Sequence, residues 1–111
     1  MNYSAGLANE LPVGITIKSP RELELMRQAG KVVAQAKARL MEAIHPGVTT
    51  KELDRVAEKE IRKLGAIPSF LGYTAGGVTP FPATICASIN AEVAHGIPSQ
   101  RVLAEGDILS L

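Results

Sequence analysis

Two helix starts of the same design, set one behind the other, constrain this chain more than any other feature. In the first, the Ser19 hydroxyl can accept from the Glu22 amide and Glu22 can reach back, while Pro20 takes the first helical position, where its missing N–H costs nothing. Leu23, Met26, Val33, Leu40, Met41 and Ile44 then recur at spacings near three, four and seven, which predicts one apolar face along a helix of about six turns. Gly30 lies inside that pattern at a cost of up to about 1 kcal/mol relative to alanine, which points to a close packing contact. Pro46 disfavours helical backbone at His45, so His45-Pro46-Gly47 ends the helix. Thr49 and Glu52 repeat the start signal, followed by a stripe of Leu53, Val56, Ala57, Ile61 and Leu64 and by Gly65 as a left-handed cap.

Two such stripes need a shared apolar partner. Ala66 to Phe70, Ile85 to Ile89 and Ile108 to Leu111 are short apolar runs bounded by Gly, Pro, Asn and Ser, and they read as strands; Val93 and Ala94 read as a further extended piece. Gly72 to Pro82, with its glycines and prolines, reads as a loop. The expected fold class is α+β: two amphipathic helices packed on a small sheet. Met1 to Gly14 has no sustained period and reads as a flexible tail, leaving residues 15–111 as one domain, the size that 111 residues with 46% hydrophobic content support. The run from Ile108 breaks off at Leu111 inside a strand pattern, so the sheet is expected to be incomplete.

Charge excludes little and suggests little. Twelve Lys and Arg against 11 Asp and Glu leave a net charge of +1, spread without a basic block, so no nucleic-acid or acidic-membrane signal is present. There is neither a signal-like leader nor an apolar run of about 18 residues. One cysteine, Cys86, rules out an internal disulfide and agrees with a reducing, cytoplasmic setting.

The residues able to do chemistry are few. His45 at a helix end suits the negative pole of the helix dipole. Asp54, Glu58 and Glu60, set among Lys51, Arg55, Lys59 and Arg62, read as a solvated helix face. Cys86 by residue type is a small buried hydrophobe. His95, before the Gly96-Ile97-Pro98 turn, is on local grounds either a surface residue or an imidazole held at a sheet edge facing a cleft. Only His95 and Asp107 offer ligands from the predicted strand region, too few for a metal centre.

Six blocks carry a resemblance. IKSPRELELMRQAG, PGVTTKELD, GAIPSFLGY, FPATICASIN, EVAHGIPS and EGDILSL, which together frame Ile17 to Leu111, are similar in order and spacing to type I methionine aminopeptidases. The resemblance implies the first half of a pita-bread (creatinase/aminopeptidase-like) fold. It further implies hydrolytic removal of the initiator methionine from nascent polypeptides by a pair of divalent metal ions of the Co, Mn, Fe, Zn or Ni type. In that pattern His95 is the catalytic histidine that bonds the scissile peptide, and Phe70, Tyr73, Phe81 and Cys86 join it as lining of the methionine pocket. The metal-binding side chains would follow Leu111, so these 111 residues are expected to be inactive alone. The implied partners are the nascent N-terminus and the ribosome, and the implied full-length state is a monomer. The alternatives are a non-catalytic pita-bread binding module and a half-enzyme completed by a partner chain. One departure stands out: Thr74 to Pro80 fill a place where the family pattern has about two residues, usually with a histidine after the tyrosine.

Overall fold

The computed structural model describes residues 14–74 and 76–111, so the tail expectation for Met1 to Gly14 lies, except for Gly14, outside the described residues. The chain divides into two compact units, Met1–Gly30 and Lys31–Leu111. The elements are α1 (Pro20–Ala43), α2 (Thr50–Lys63), β1 (Ser88–Ile89) and β2 (Leu109–Ser110).

Both helix starts form as their sequences dictate. In the first unit the Ser19 amide donates to Glu22 Oε2 at 2.7 Å and the Glu22 amide donates to Ser19 Oγ at 3.3 Å. In the second, Thr49 and Glu52 close the same reciprocal box around the start of α2. Those bonds, from the Thr49 backbone first and its hydroxyl second, hold the Glu52 carboxyl below the usual carboxylate range. At the far end Gly65 takes φ +78°, and its N–H donates to the Arg62 carbonyl at 3.0 Å, as a left-handed helix stop requires.

The core of the second unit gathers Leu40 from α1, Val48, Leu53 and Ala57 around α2, Ile89 from β1 and Leu103. β1 and β2 run antiparallel, pairing Ser88 with Ser110 and Ile89 with Leu109. A second pairing was not read from the sequence: residues 47–51 run alongside 99–103. Gly47 N–H donates to the Leu103 carbonyl, Leu103 N–H to Val48, Thr50 N–H to Arg101 and Lys51 N–H to Ser99. This ladder satisfies amides at the start of α2 that the helix itself leaves without partners. Thr50 Oγ1 adds to it by accepting from the Ser99 amide at 2.8 Å.

Several expectations fail for identifiable reasons. Ala66 to Phe70 is not a strand: Pro68 has no N–H to pair, Ile67 is 83% exposed, and the Tyr73 amide folds back on the Phe70 carbonyl at 3.0 Å. Val93 and Ala94 are not extended pairing residues either, because a turn at Asn90 and Ala91 lifts Val93 into solvent at 96% exposure. The remaining runs shrink to two paired residues each. Within the second unit the α1 stripe is thinner than its periodicity suggests. Ala36 and Leu40 are buried, but Val33, Met41 and Ile44 are exposed, since the core cluster meets the helix at Leu40 and Ala43. Among the described residues a Cβ built on Gly30 meets nothing within 4 Å, so the expected close contact is not found there.

Candidate functional site

The five residues singled out by the sequence line one cavity of about 430 Å³: Phe70, Tyr73, Phe81, Cys86 and His95. Thr74, Thr79, Pro80, Pro82 and Ile97 complete its wall, and sequence reasoning did not assign these. Their signal was adjacency alone, each lying within a few positions of a named residue.

One wall is the loop from Phe70 to Phe81. Gly72 N–H donates to the Phe81 carbonyl at 2.9 Å and Phe81 N–H donates to the Tyr73 carbonyl at 2.8 Å, so the loop is closed at its base between Tyr73 and Phe81. This closure brings the Phe70 and Phe81 rings edge to face, with centroids 6.5 Å apart and planes at 90°, the geometry favoured by aromatic quadrupoles.

The opposite wall depends on a chain reversal after β1. His95 sits at φ +58°, in the left-handed region that a non-glycine residue enters at a cost of about 1–3 kcal/mol. The next residue holds it there. Gly96 is buried, its N–H donates to Ser88 Oγ at 3.1 Å, and its carbonyl accepts from the Ala87 amide at 2.8 Å. The result sets His95 Nδ1 3.9 Å from Cys86 Sγ. Cys86 is therefore partly exposed at a cavity wall, not the sealed core residue its type suggested.

Asp54 overturns another expectation. It does not belong to the solvated face of α2: it is 4% exposed, and its Oδ1 accepts from the amides of Thr84 at 2.8 Å and Ile85 at 3.0 Å. Glu58, which pairs with Arg62 at 2.9 Å, does belong to that face. His45 makes a local contact, its Nδ1 donating to the Pro46 carbonyl at 2.8 Å.

Asp107 serves the turn before β2. Its Oδ2 accepts from the Ala104 amide at 2.9 Å and its Oδ1 from the Asn90 side-chain amide at 2.9 Å. These bonds, Ala104 first, hold its carboxyl below the usual range. A carboxyl depressed by folding stabilises the fold fully above its unfolded pKa of about 3.9, and that stability is lost as pH falls through the lower folded value. Glu22 and Glu52 act in the same direction. An acid titration followed by circular dichroism should show unfolding begin below about pH 4. Asp107→Asn should flatten part of that acid limb, and an unchanged limb would remove Asp107 from this role.

With the geometry in place, comparison with known proteins identifies the kind of chain this is. The sequence signature of metallopeptidase family M24 matches residues 24–111, and the chain belongs to that family. It is 52% identical over 97 residues to methionine aminopeptidase 1 of Bacillus subtilis and 59% identical over 98 residues to methionine aminopeptidase of Clostridium acetobutylicum. In both cases the match takes 87% of this chain, and the chain spans about 37% of the length of those curated relatives. Among solved structures, methionine aminopeptidase from Rickettsia prowazekii superposes with a TM-score of 0.78 at 38% identity. That from Thermotoga maritima does so with 0.78 at 40% identity. Each match covers 86% of this chain and 36% of the other. The resemblance read from the six blocks holds, and the two helices with their small sheet are those of the first half of the pita-bread fold.

The family is one of metal-dependent peptidases. The residues here do not fit a metal centre by themselves: among the described residues no group of three His, Cys, Asp or Glu side chains converges, and both Asp107 oxygens already accept hydrogen bonds. Among the described residues no helix is long and apolar enough to cross a membrane.

Proposed function

We propose that this chain supplies the methionine-recognising wall of a methionine aminopeptidase, an enzyme removing the initiator methionine from nascent polypeptides. The observation that carries the reading is the convergence of Phe70, Tyr73, Phe81, Cys86 and His95 on one cavity. An unbranched thioether suits a lining of aromatic edges and sulfur, which gain from contact with it and leave no charge buried. His95, held at the rim by its left-handed backbone, is the catalytic residue of the set, with a ring N–H available to donate to the scissile peptide as charge develops on its carbonyl. Residues 15–111 form the amino-terminal part of one catalytic domain. The whole protein works as a cytoplasmic monomer on chains emerging from the ribosome.

The family's chemistry depends on divalent metal, two ions in this reading. Since the described residues hold no ligand cluster, the 111 residues recognise methionine without cleaving it. Titrating the chain with Met-Gly should shift the NMR signals of Phe70, Phe81, Cys86 and His95, and Ala-Gly should leave them in place. With manganese or cobalt added, no methionine is released. Equal responses to the two dipeptides would sink the pocket, and chelator-sensitive turnover by the pure chain would sink the division of labour.

A further inference from the structure

We infer that Asp54 is a positioning residue of the pocket, its buried carboxylate fixing the backbone that carries Pro82 and Cys86 to the cavity wall. The inference rests on the reading of the cavity as a methionine pocket. Residues 82–86 belong to no helix or strand, and pairing with β2 begins only at Ser88. Downstream, the segment is tied by the Ala87 amide to the Gly96 carbonyl. Upstream, the amides of Thr84 and Ile85 both donate to one oxygen, Asp54 Oδ1. Pro82 and Cys86, which flank that pair of amides, line the cavity.

The carboxylate sits where a charge is costly to keep. It is nearly sealed from solvent, with Lys51 Nζ 4.0 Å from Oδ2 as its partner cation. A neutral or apolar residue would fill that position on α2 at less cost if filling were the only need. What an ionised carboxylate adds is an acceptor strong enough to hold two consecutive amides, and consecutive amides aimed at one point fix the peptide planes on both sides of Thr84. The orientation of Cys86 toward His95 then follows from the backbone that precedes it.

Alkylation of Cys86 by iodoacetamide tests this, because the chain has one cysteine. In the unaltered chain, Met-Gly should slow alkylation and also slow hydrogen exchange at the Thr84 and Ile85 amides. Asp54→Ala, which removes both bonds, should raise the alkylation rate about tenfold or more, since loss of even one hydrogen bond to a charged group matches that factor, and abolish the protection. Asp54→Asn, whose carbonyl accepts the same two bonds, should restore protection to within about threefold. No protection in the unaltered chain would overturn the pocket reading and this inference with it. Protection that persists in a folded Asp54→Ala chain overturns Asp54 alone, as does its loss in a folded Asp54→Asn chain. Should Asp54→Ala fail to fold, the unaltered chain decides: Thr84 and Ile85 amides that exchange without regard to bound Met-Gly overturn the inference.

Discussion

Gly96→Ala should dismantle the candidate site and destabilise the second unit by about 3 kcal/mol or more, at or beyond the upper end of ordinary overpacking. A Cβ at position 96 would stand 2.1 Å from the Ala87 carbonyl oxygen, 2.7 Å from its carbon and 3.0 Å from Ser88 Cα. All three are backbone atoms, so no side chain can rotate aside. The clash is steric rather than torsional. Relief requires the 95–97 segment to withdraw from residues 87 and 88, which breaks the Gly96 bonds to Ser88 Oγ and to the Ala87 amide. His95 then leaves its place beside Cys86. Urea unfolding should show a lower midpoint, and Met-Gly should no longer protect Cys86 from alkylation. A variant with the midpoint and protection of the unaltered chain would overturn this role for Gly96.

How much of this was legible in the sequence follows from the range of each interaction. The capping boxes at Ser19 and Thr49 were readable because all their partners lie within three residues. The apolar run Ala66 to Phe70 predicts a strand that does not form, because such a run says nothing of whether a partner strand lies beside it, and Pro68 has no N–H with which to pair. Asp54 was misplaced for a related cause. Lys51 stands three positions before it and Arg55 directly after it, in a run of mixed charge that is the pattern of a solvated face, whereas the groups that bury it are the amides of Thr84 and Ile85, invisible to any side-chain pattern. The pocket residues were named through resemblance to a family; local physics had left His95 open between surface and cleft. The left-handed backbone at His95 has no sequence signal of its own, because the following glycine is selected for lack of a Cβ and not for its own torsion.

Leu53→Ala should cost about 2–5 kcal/mol, the range for truncating a large side chain in a packed core. Leu53 is 0% exposed and sits in the cluster with Leu40, Val48, Ala57, Ile89 and Leu103, so its loss leaves a void bounded by α1, α2, β1 and the 99–103 ladder at once. Small domains have total stabilities of about 5–15 kcal/mol, so this one change removes a large fraction. Val78→Ala, at a residue 99% exposed, should change the free energy of urea unfolding by no more than about 0.5 kcal/mol and serves as the control. A Leu53→Ala shift no larger than that of Val78→Ala would mean that the cluster is not the core. The comparison with Asp54 is the more telling part. Leu53 and Asp54 are consecutive on α2, one facing the core and the other the backbone of the pocket wall. Leu53→Ala should therefore lose Cys86 protection only in step with unfolding, along a single urea transition. Asp54→Ala should lose it in chain that is still folded. If both variants lost protection only on unfolding, α2 would support the pocket through the core alone.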